Sequence, residues 1–358
     1  MSVFGTNFVF QEGMMRKAFF IIFLLLSQTP VMYSQDTLAT VTAEKGDGIY
    51  SLLRKQGVNP YEYYHEFIDI NLENLRDSIH LLEGKTYAIP KVQLDTVSLV
   101  DSVQKKSTEI KEVESKTYDI FGEDHKTVLT KSERLKGAVY YLVSGHGGPD
   151  PGAMAVYAGK SISEDEYAYD ITLRLAKELL AHSATVYIII RDEDDGIREE
   201  RILEIDRDEV AYPDKSIPLN QLARLQQRVD IVNDLYKKNK GTYQRLIVTH
   251  VDSRSKGQNI DVFFYHHEKS KNGKRLAESI HTTFDAKYKQ YQPNRTYSGT
   301  FEDRTSLFLV KKTHPAMTFI EIGNIRNKKD QRRILDPDNR QALAKWISEG
   351  VILDYEER

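Results

Sequence analysis

Ala138-Val139-Tyr140-Tyr141-Leu142-Val143 is an unbroken apolar run, and after Ser144 comes Gly145-His146-Gly147-Gly148-Pro149-Asp150-Pro151-Gly152-Ala153. The run reads as a buried strand. The histidine falls where that strand gives way to a loop. Glycines around it allow positive φ and close backbone approach, so the imidazole is well placed to meet a metal ion or a substrate.

Two later segments repeat the pattern. Arg245-Leu246-Ile247-Val248-Thr249-His250-Val251-Asp252 is an apolar run that ends in histidine. Ala316-Met317-Thr318-Phe319-Ile320-Glu321-Ile322-Gly323 is an apolar run with a single carboxylate inside it. Burying that carboxylate is costly unless it is paired, hydrogen-bonded or near a cation. Three strands that each deliver a metal-type or acid–base side chain point to one site at one edge of a sheet. From residue 137 onward, strands are expected at 138–143, 185–190, 245–249, 260–265 and 316–321. Helices are expected at 164–181, 220–238, 272–285 and 338–350. This alternation predicts an α/β fold, a mixed sheet flanked by helices on both faces.

With these pieces in place, residues 137–355 resemble the catalytic domain of zinc-dependent N-acetylmuramoyl-L-alanine amidases. The matching pieces run in order: Gly145-His146-Gly147-Gly148 with Asp150-Pro151-Gly152-Ala153, Glu164 at a helix start, Arg191-Asp192, Leu225 to Asn233, Thr249-His250, and Pro315 to Gly323 with Asn327 and Asp330. Val143-Ser144 stands where the family usually has Asp-Pro, and Asn324 where an aromatic usually follows the glycine.

The resemblance implies a hydrolase that cleaves the amide bond between N-acetylmuramic acid and L-alanine in peptidoglycan, within a domain spanning 137–358. It implies one zinc ion per chain held by His146, Glu164 and His250. Three protein ligands leave a catalytic zinc an open position. Glu321 matches the catalytic glutamate, which takes a proton from the attacking water and passes it to the leaving amine. Two alternatives remain open: another zinc peptidase acting on wall peptides, and a catalytically inactive peptidoglycan-binding regulator.

Helical spacing agrees with the choice of Glu164. It shares a face with Ala168, Ile171, Leu175 and Leu179, an apolar stripe, whereas Glu166 aligns with Asp170, Arg174 and Lys177, expected to be solvated. Arg191 and Arg228 match family arginines and equally suit structural ion pairs. His266-His267 reads as a surface feature, because adjacent strand residues point to opposite faces. Residues 192–219 are long and acidic for a connection; part of them is expected as a solvated helix with internal ion pairs, and connections of this length often act as lids that shape access to a cleft.

The remaining composition narrows the class. At 358 residues there is room for one sizeable and one small domain. The absence of cysteine excludes disulfides, zinc–thiolate sites and a cysteine nucleophile, so any metal must be held by His, Asp or Glu. A net charge of −3 argues against a nucleic-acid partner. Arg16-Lys17 followed by Ala18 to Leu26 reads as a secretory signal peptide, residues 1–34. No later segment has membrane-spanning length, so the mature protein is expected to be exported, periplasmic or associated with the cell envelope.

Residues 39–90 read as strand, two helices and strand. This βααβ unit resembles a LysM domain, closest in Lys45-Gly46-Asp47 and Gly84-Lys85. The resemblance implies binding to the glycan of peptidoglycan. Residues 91–135 read as a linker, with no sustained apolar period.

Overall fold

The computed structural model describes residues 38–44, 47–58, 60–75, 81–91, 114–252 and 261–358. The expected signal peptide and much of the expected linker lie outside these residues. The chain divides into two compact units, 1–98 and 99–358.

In the first unit, β1 (Thr40–Thr42) is followed by α1 (Ile49–Lys55), α2 (Pro60–Asn71) and β2 (Thr86–Ala88). β1 and β2 pair antiparallel, with Val41 opposite Tyr87. Leu52, Leu53, Phe67 and Tyr87 form the centre of a small core. Asn71 is buried and links the end of α2 to β2: its Nδ2 donates to Phe67 O and Ala88 O, and its Oδ1 accepts from Ala88 N, all at 2.8 Å.

The second unit opens with a hairpin of β3 (Ser115–Thr117) and β4 (Thr127–Leu129), ahead of β5 (Ala138–Ser144). A second hairpin, β6 (Met154–Tyr157) and β7 (Lys160–Ser163), leads into α3 (Glu164–Ala181) and β8 (Thr185–Ile188). Short strands β9 (Ile190–Arg191), β10 (Val210–Ala211) and β11 (Lys215–Ser216) precede α4 (Gln221–Lys238) and β12 (Tyr243–Asp252). Then come β13 (Phe263–His266), α5 (Lys271–Tyr291), β14 (Thr300–Asp303), α6 (Phe308–Lys312) and β15 (Ala316–Asn324). Helices α7 (Lys328–Leu335) and α8 (Pro337–Glu356) close the chain.

Six strands form one sheet in the order β14-β13-β15-β12-β5-β8. It is mixed: β13 runs antiparallel to β15, while β15, β12, β5 and β8 are parallel neighbours. Alternation sorts the side chains. Tyr140, Leu142, Ile247 and Ile320 pack with α3, α5 and α8, whereas Tyr141, Val143, Val248 and Phe319 pack with α4 and α6. Every residue of β5 is buried, because helices cover both faces, and this is why its sequence is continuously apolar. Helix starts carry their own signals: Asn220 Oδ1 accepts from Ala223 N, and Asp336 caps α8 ahead of Pro337. Among the described residues no helix is long and apolar enough to cross a membrane.

Four expectations are corrected. Residues 114–135 are not linker: Phe121, Val128 and Leu135 are buried in the main core, and Lys131 N donates to Ala181 O. Their apolar residues are too sparse to show as a period. The second face of α3 is not solvated, since Glu166, Asp170 and Arg174 are all buried. Asp170 Oδ2 accepts from Arg174 Nε at 2.8 Å and Arg340 Nε at 2.6 Å, and its Oδ1 from Arg198 N. Burial alone would raise the Asp170 pKa, but the two guanidinium groups outweigh it and hold the carboxyl below its ordinary value. Residues 192–209 form no helix and lie across this face. Finally, His266 is buried and not a surface residue.

Candidate metal centre

The parallel pairing of β5 with β12 sets Ser144 opposite Thr249, so the chain leaves β5 at Gly145-His146 beside His250, which still lies within β12. His146 and His250 therefore meet, with ring centroids 4.9 Å apart and the rings edge to face. Glu164 is the first residue of α3, and the β6–β7 hairpin delivers it between the two rings. Its Oε1 lies 2.8 Å from His250 Nδ1 and its Oε2 3.3 Å from His146 Nε2. Backbone donors fix the carboxylate: Val251 N reaches Oε1 at 3.1 Å and Ala153 N reaches Oε2 at 3.0 Å. One potential ligand atom from each of the three residues lies within 4.8 Å of the others.

The loop is shaped around these side chains. His146 itself has φ 65°, and Gly147 and Gly148 follow at 96° and 65°. Positive φ at a histidine is sparsely populated and persists where the surroundings impose it, often at a functional site. A Cβ on Gly145 would run into the His250 ring. One on Gly152 would sit 2.7 Å from the His146 ring and 2.9 Å from Glu164 Oε2. Glycine is required at both positions if the three groups are to converge.

Electrostatics favour an ionised carboxylate. Burial would raise the Glu164 pKa, but hydrogen bonding to His146 and His250 outweighs it and holds the group below its ordinary value. His146 is pulled both ways: burial lowers its pKa, yet Asp150 and Glu164 raise it to about 10. Burial wins at His250, whose pKa is lowered. Both imidazoles keep some exposure, 24% and 19% of the side chain. They border a cleft walled by Gln221, Arg224, Arg228 and Leu309.

The four residues singled out from sequence are thus placed unequally. His146, Glu164 and His250 come together. Glu321 stands beside them on β15, in register with His250, and is 4% exposed. Two residues earlier on β15, the Phe319 ring stacks on His250 at 4.5 Å between centroids. Sequence reasoning assigned no role to Asp150 or Arg224. Asp150 Oδ2 lies 3.1 Å from His146 Nδ1 and accepts from Arg224 Nη2 at 2.7 Å. Arg228, one turn further along α4, donates from Nη2 to His146 O at 2.6 Å. The spacing of Arg224 and Arg228 on one helix face was the available signal. Arg191 instead donates to Pro213 O and pairs with Asp214, away from this cluster.

A family model described as N-acetylmuramoyl-L-alanine amidase matches residues 141–352, more than half of the chain. The chain belongs to this amidase family. The matched span contains the histidine pair, Glu164 and Glu321, and ends within α8. No match to a curated protein is found. Among solved structures, similarity is found to the CwlD amidase of Clostridioides difficile in complex with the GerS lipoprotein, at 19% identity and TM-score 0.46. That match covers 62% of this chain and 100% of that one. The amidase AmiC2 of Nostoc punctiforme matches at 20% identity and TM-score 0.43, covering 63% of this chain and 99% of that one. The catalytic domain of the amidase CwlV from Bacillus (Paenibacillus) polymyxa var. colistinus matches at 19% identity and TM-score 0.43, over 60% and 96% of the two chains.

The donor set of the amidase unit suits a zinc ion. Two imidazoles and one carboxylate, fixed by backbone hydrogen bonds and partly open to the cleft, are the ligand types and number that catalytic zinc takes. No cysteine competes for the metal.

Proposed function

We propose that this protein is an exported zinc amidase that cleaves the bond between N-acetylmuramic acid and L-alanine in peptidoglycan. The observation that carries the reading is the convergence of His146, Glu164 and His250 at one sheet edge beside a cleft. These three residues would hold the metal. When bound, zinc supplies a Lewis acid that activates water and polarises an amide carbonyl.

The other roles belong to the chain's own groups. Glu321 takes the proton of the attacking water and returns it to the leaving amine nitrogen, as a buried carboxylate beside His250 suits. Asp150 orients the His146 ring through Nδ1, leaving Nε2 turned toward Glu164. Arg228 holds the His146 carbonyl and so the strained loop. Arg224 presents its guanidinium at the cleft wall, where an anionic wall peptide would pass.

Digestion of purified peptidoglycan tests this reading. With zinc, the products should be lactyl-terminated glycan and peptides with free N-terminal L-alanine, and a chelator should abolish their release. Cleavage within the stem peptide would instead identify a wall peptidase, and no metal-dependent cleavage a regulator.

The proposal extends to both N-terminal segments. Residues 1–34 direct export, and residues 39–90 act as a LysM-like module that holds the enzyme on glycan strands. Such tethering raises the effective substrate concentration without new catalytic contacts. Deleting residues 39–90 should weaken co-sedimentation with insoluble peptidoglycan while sparing cleavage of soluble muropeptides. Unchanged co-sedimentation would remove the module's role.

A further inference from the structure

A second convergence of potential ligands lies apart from the histidine pair. Asp165, Glu166 and Glu209 bring one carboxylate oxygen each within 4.8 Å of the others. Asp192, Asp206 and Glu209 form a similar group, and Asp192 also clusters with Asp194 and Asp208. Glu209 is shared by two of these groups and Asp192 by two, so the three groups adjoin one another between the start of α3 and the 192–209 segment. Asp165, Glu166, Asp192 and Glu209 are buried, and the exposed Asp194 and Asp208 give a route in from solvent.

This region is short of positive charge. Arg198 pairs with Glu166 at 3.0 Å and with Asp195, but among the described residues no ion pair reaches Asp165, Asp192, Asp206 or Glu209. Asp165 is 1% exposed; its Oδ1 accepts from Glu166 N, and its buried Oδ2 has no hydrogen-bond partner. The buried Oδ1 of Asp206 has none either. A buried carboxylate oxygen without donor or counter-charge is strongly disfavoured. Both belong to residues whose carboxylates cluster with Glu209, where a cation would compensate them. Consistently, burial followed by neighbouring carboxylates pushes Asp206 up to about 6, and burial pushes Glu209 up to about 7.

We propose that the carboxylates gathered around Glu209, those of Asp165 and Glu166 on one side and of Asp192 and Asp206 on the other, bind a calcium ion. The donors are oxygen alone, the choice of a hard cation, whereas zinc favours nitrogen and sulfur. Calcium takes six to eight oxygens in flexible geometry, which suits carboxylates drawn from a helix start and an irregular segment. Magnesium demands near-ideal octahedral geometry and keeps its waters, which a crowded, buried carboxylate set does not favour. The bound ion would clamp the 192–209 segment to α3. Glu209 also accepts from Gly148 N at 2.6 Å, so the clamp extends to the loop that carries His146.

The test is calorimetric and thermal titration of the full chain with calcium chloride, in a slight excess of zinc. One calcium per chain should bind. At about 100 times its dissociation constant it should raise the melting temperature by about 5–10 °C, more than magnesium at equal concentration. The double variant Asp192→Asn and Asp206→Asn should keep the wild-type circular dichroism and lose the calcium response. Absence of stoichiometric calcium binding to the wild-type chain would overturn the proposal, as would unchanged binding by the folded double variant. A larger response to magnesium would overturn the choice of calcium. If the double variant does not fold, the wild-type titration decides alone.

Discussion

Glu321→Gln should fold, keep its zinc and lose about 10²–10⁴ of its turnover, the usual worth of general acid–base catalysis. In free energy this is about 3–5 kcal/mol of transition-state stabilisation. The substitution is close to isosteric and preserves hydrogen-bonding capacity. It removes only the ability to accept and return a proton. Zinc retention is expected because Glu321 stands one strand away from the three clustered groups, in register with His250, and is not among the ligand atoms that converge. A KM unchanged within a few fold alongside the fall in kcat would place the loss in the transition state. Wild-type turnover in a folded, zinc-loaded variant would make Glu321 a structural carboxylate.

The sheet was legible because its central strands are buried on both faces and so carry long apolar runs. Expected 138–143 and 316–321 became Ala138–Ser144 and Ala316–Asn324. Helix α3 matched its expected limits, and its Glu164-to-Leu179 stripe is buried as the spacing implied. The opposite face was misread for a definite reason. Its partners, Arg198 and Arg340, lie 28 and 170 residues from Asp170 in sequence. A charged stripe looks solvated until its counter-charges are known, and no local period reveals them. The same blindness hid the folding of residues 114–135, where Phe121, Val128 and Leu135 act singly. It also hid the carboxylate groups around Glu209, because the acidic 192–209 segment reads as solvated until it is seen lying on α3. At the candidate centre, strand ends pointed to His146 and His250 and the family resemblance to Glu164, and the fold brings these three side chains together. The bracing by Asp150, Arg224 and Arg228 depends on how α4 meets the loop, which only the fold supplies.

Glu164→Ala should carry the largest effect of any single change to the centre. The carboxylate touches both imidazoles, 2.8 Å from His250 Nδ1 and 3.3 Å from His146 Nε2, and two backbone donors hold it there. Without it, two histidines remain as ligands, and zinc sites are built on three or four. Activity should fall to background. Glu166→Gln provides the control on the same helix turn. Glu166 is buried against Arg198, so that variant is expected to lose some stability but no zinc. The decisive measurement is therefore zinc content per folded chain in wild type, Glu164→Ala and Glu166→Gln. The account predicts one, close to none, and one; full zinc in Glu164→Ala, or none in the wild type, would contradict it.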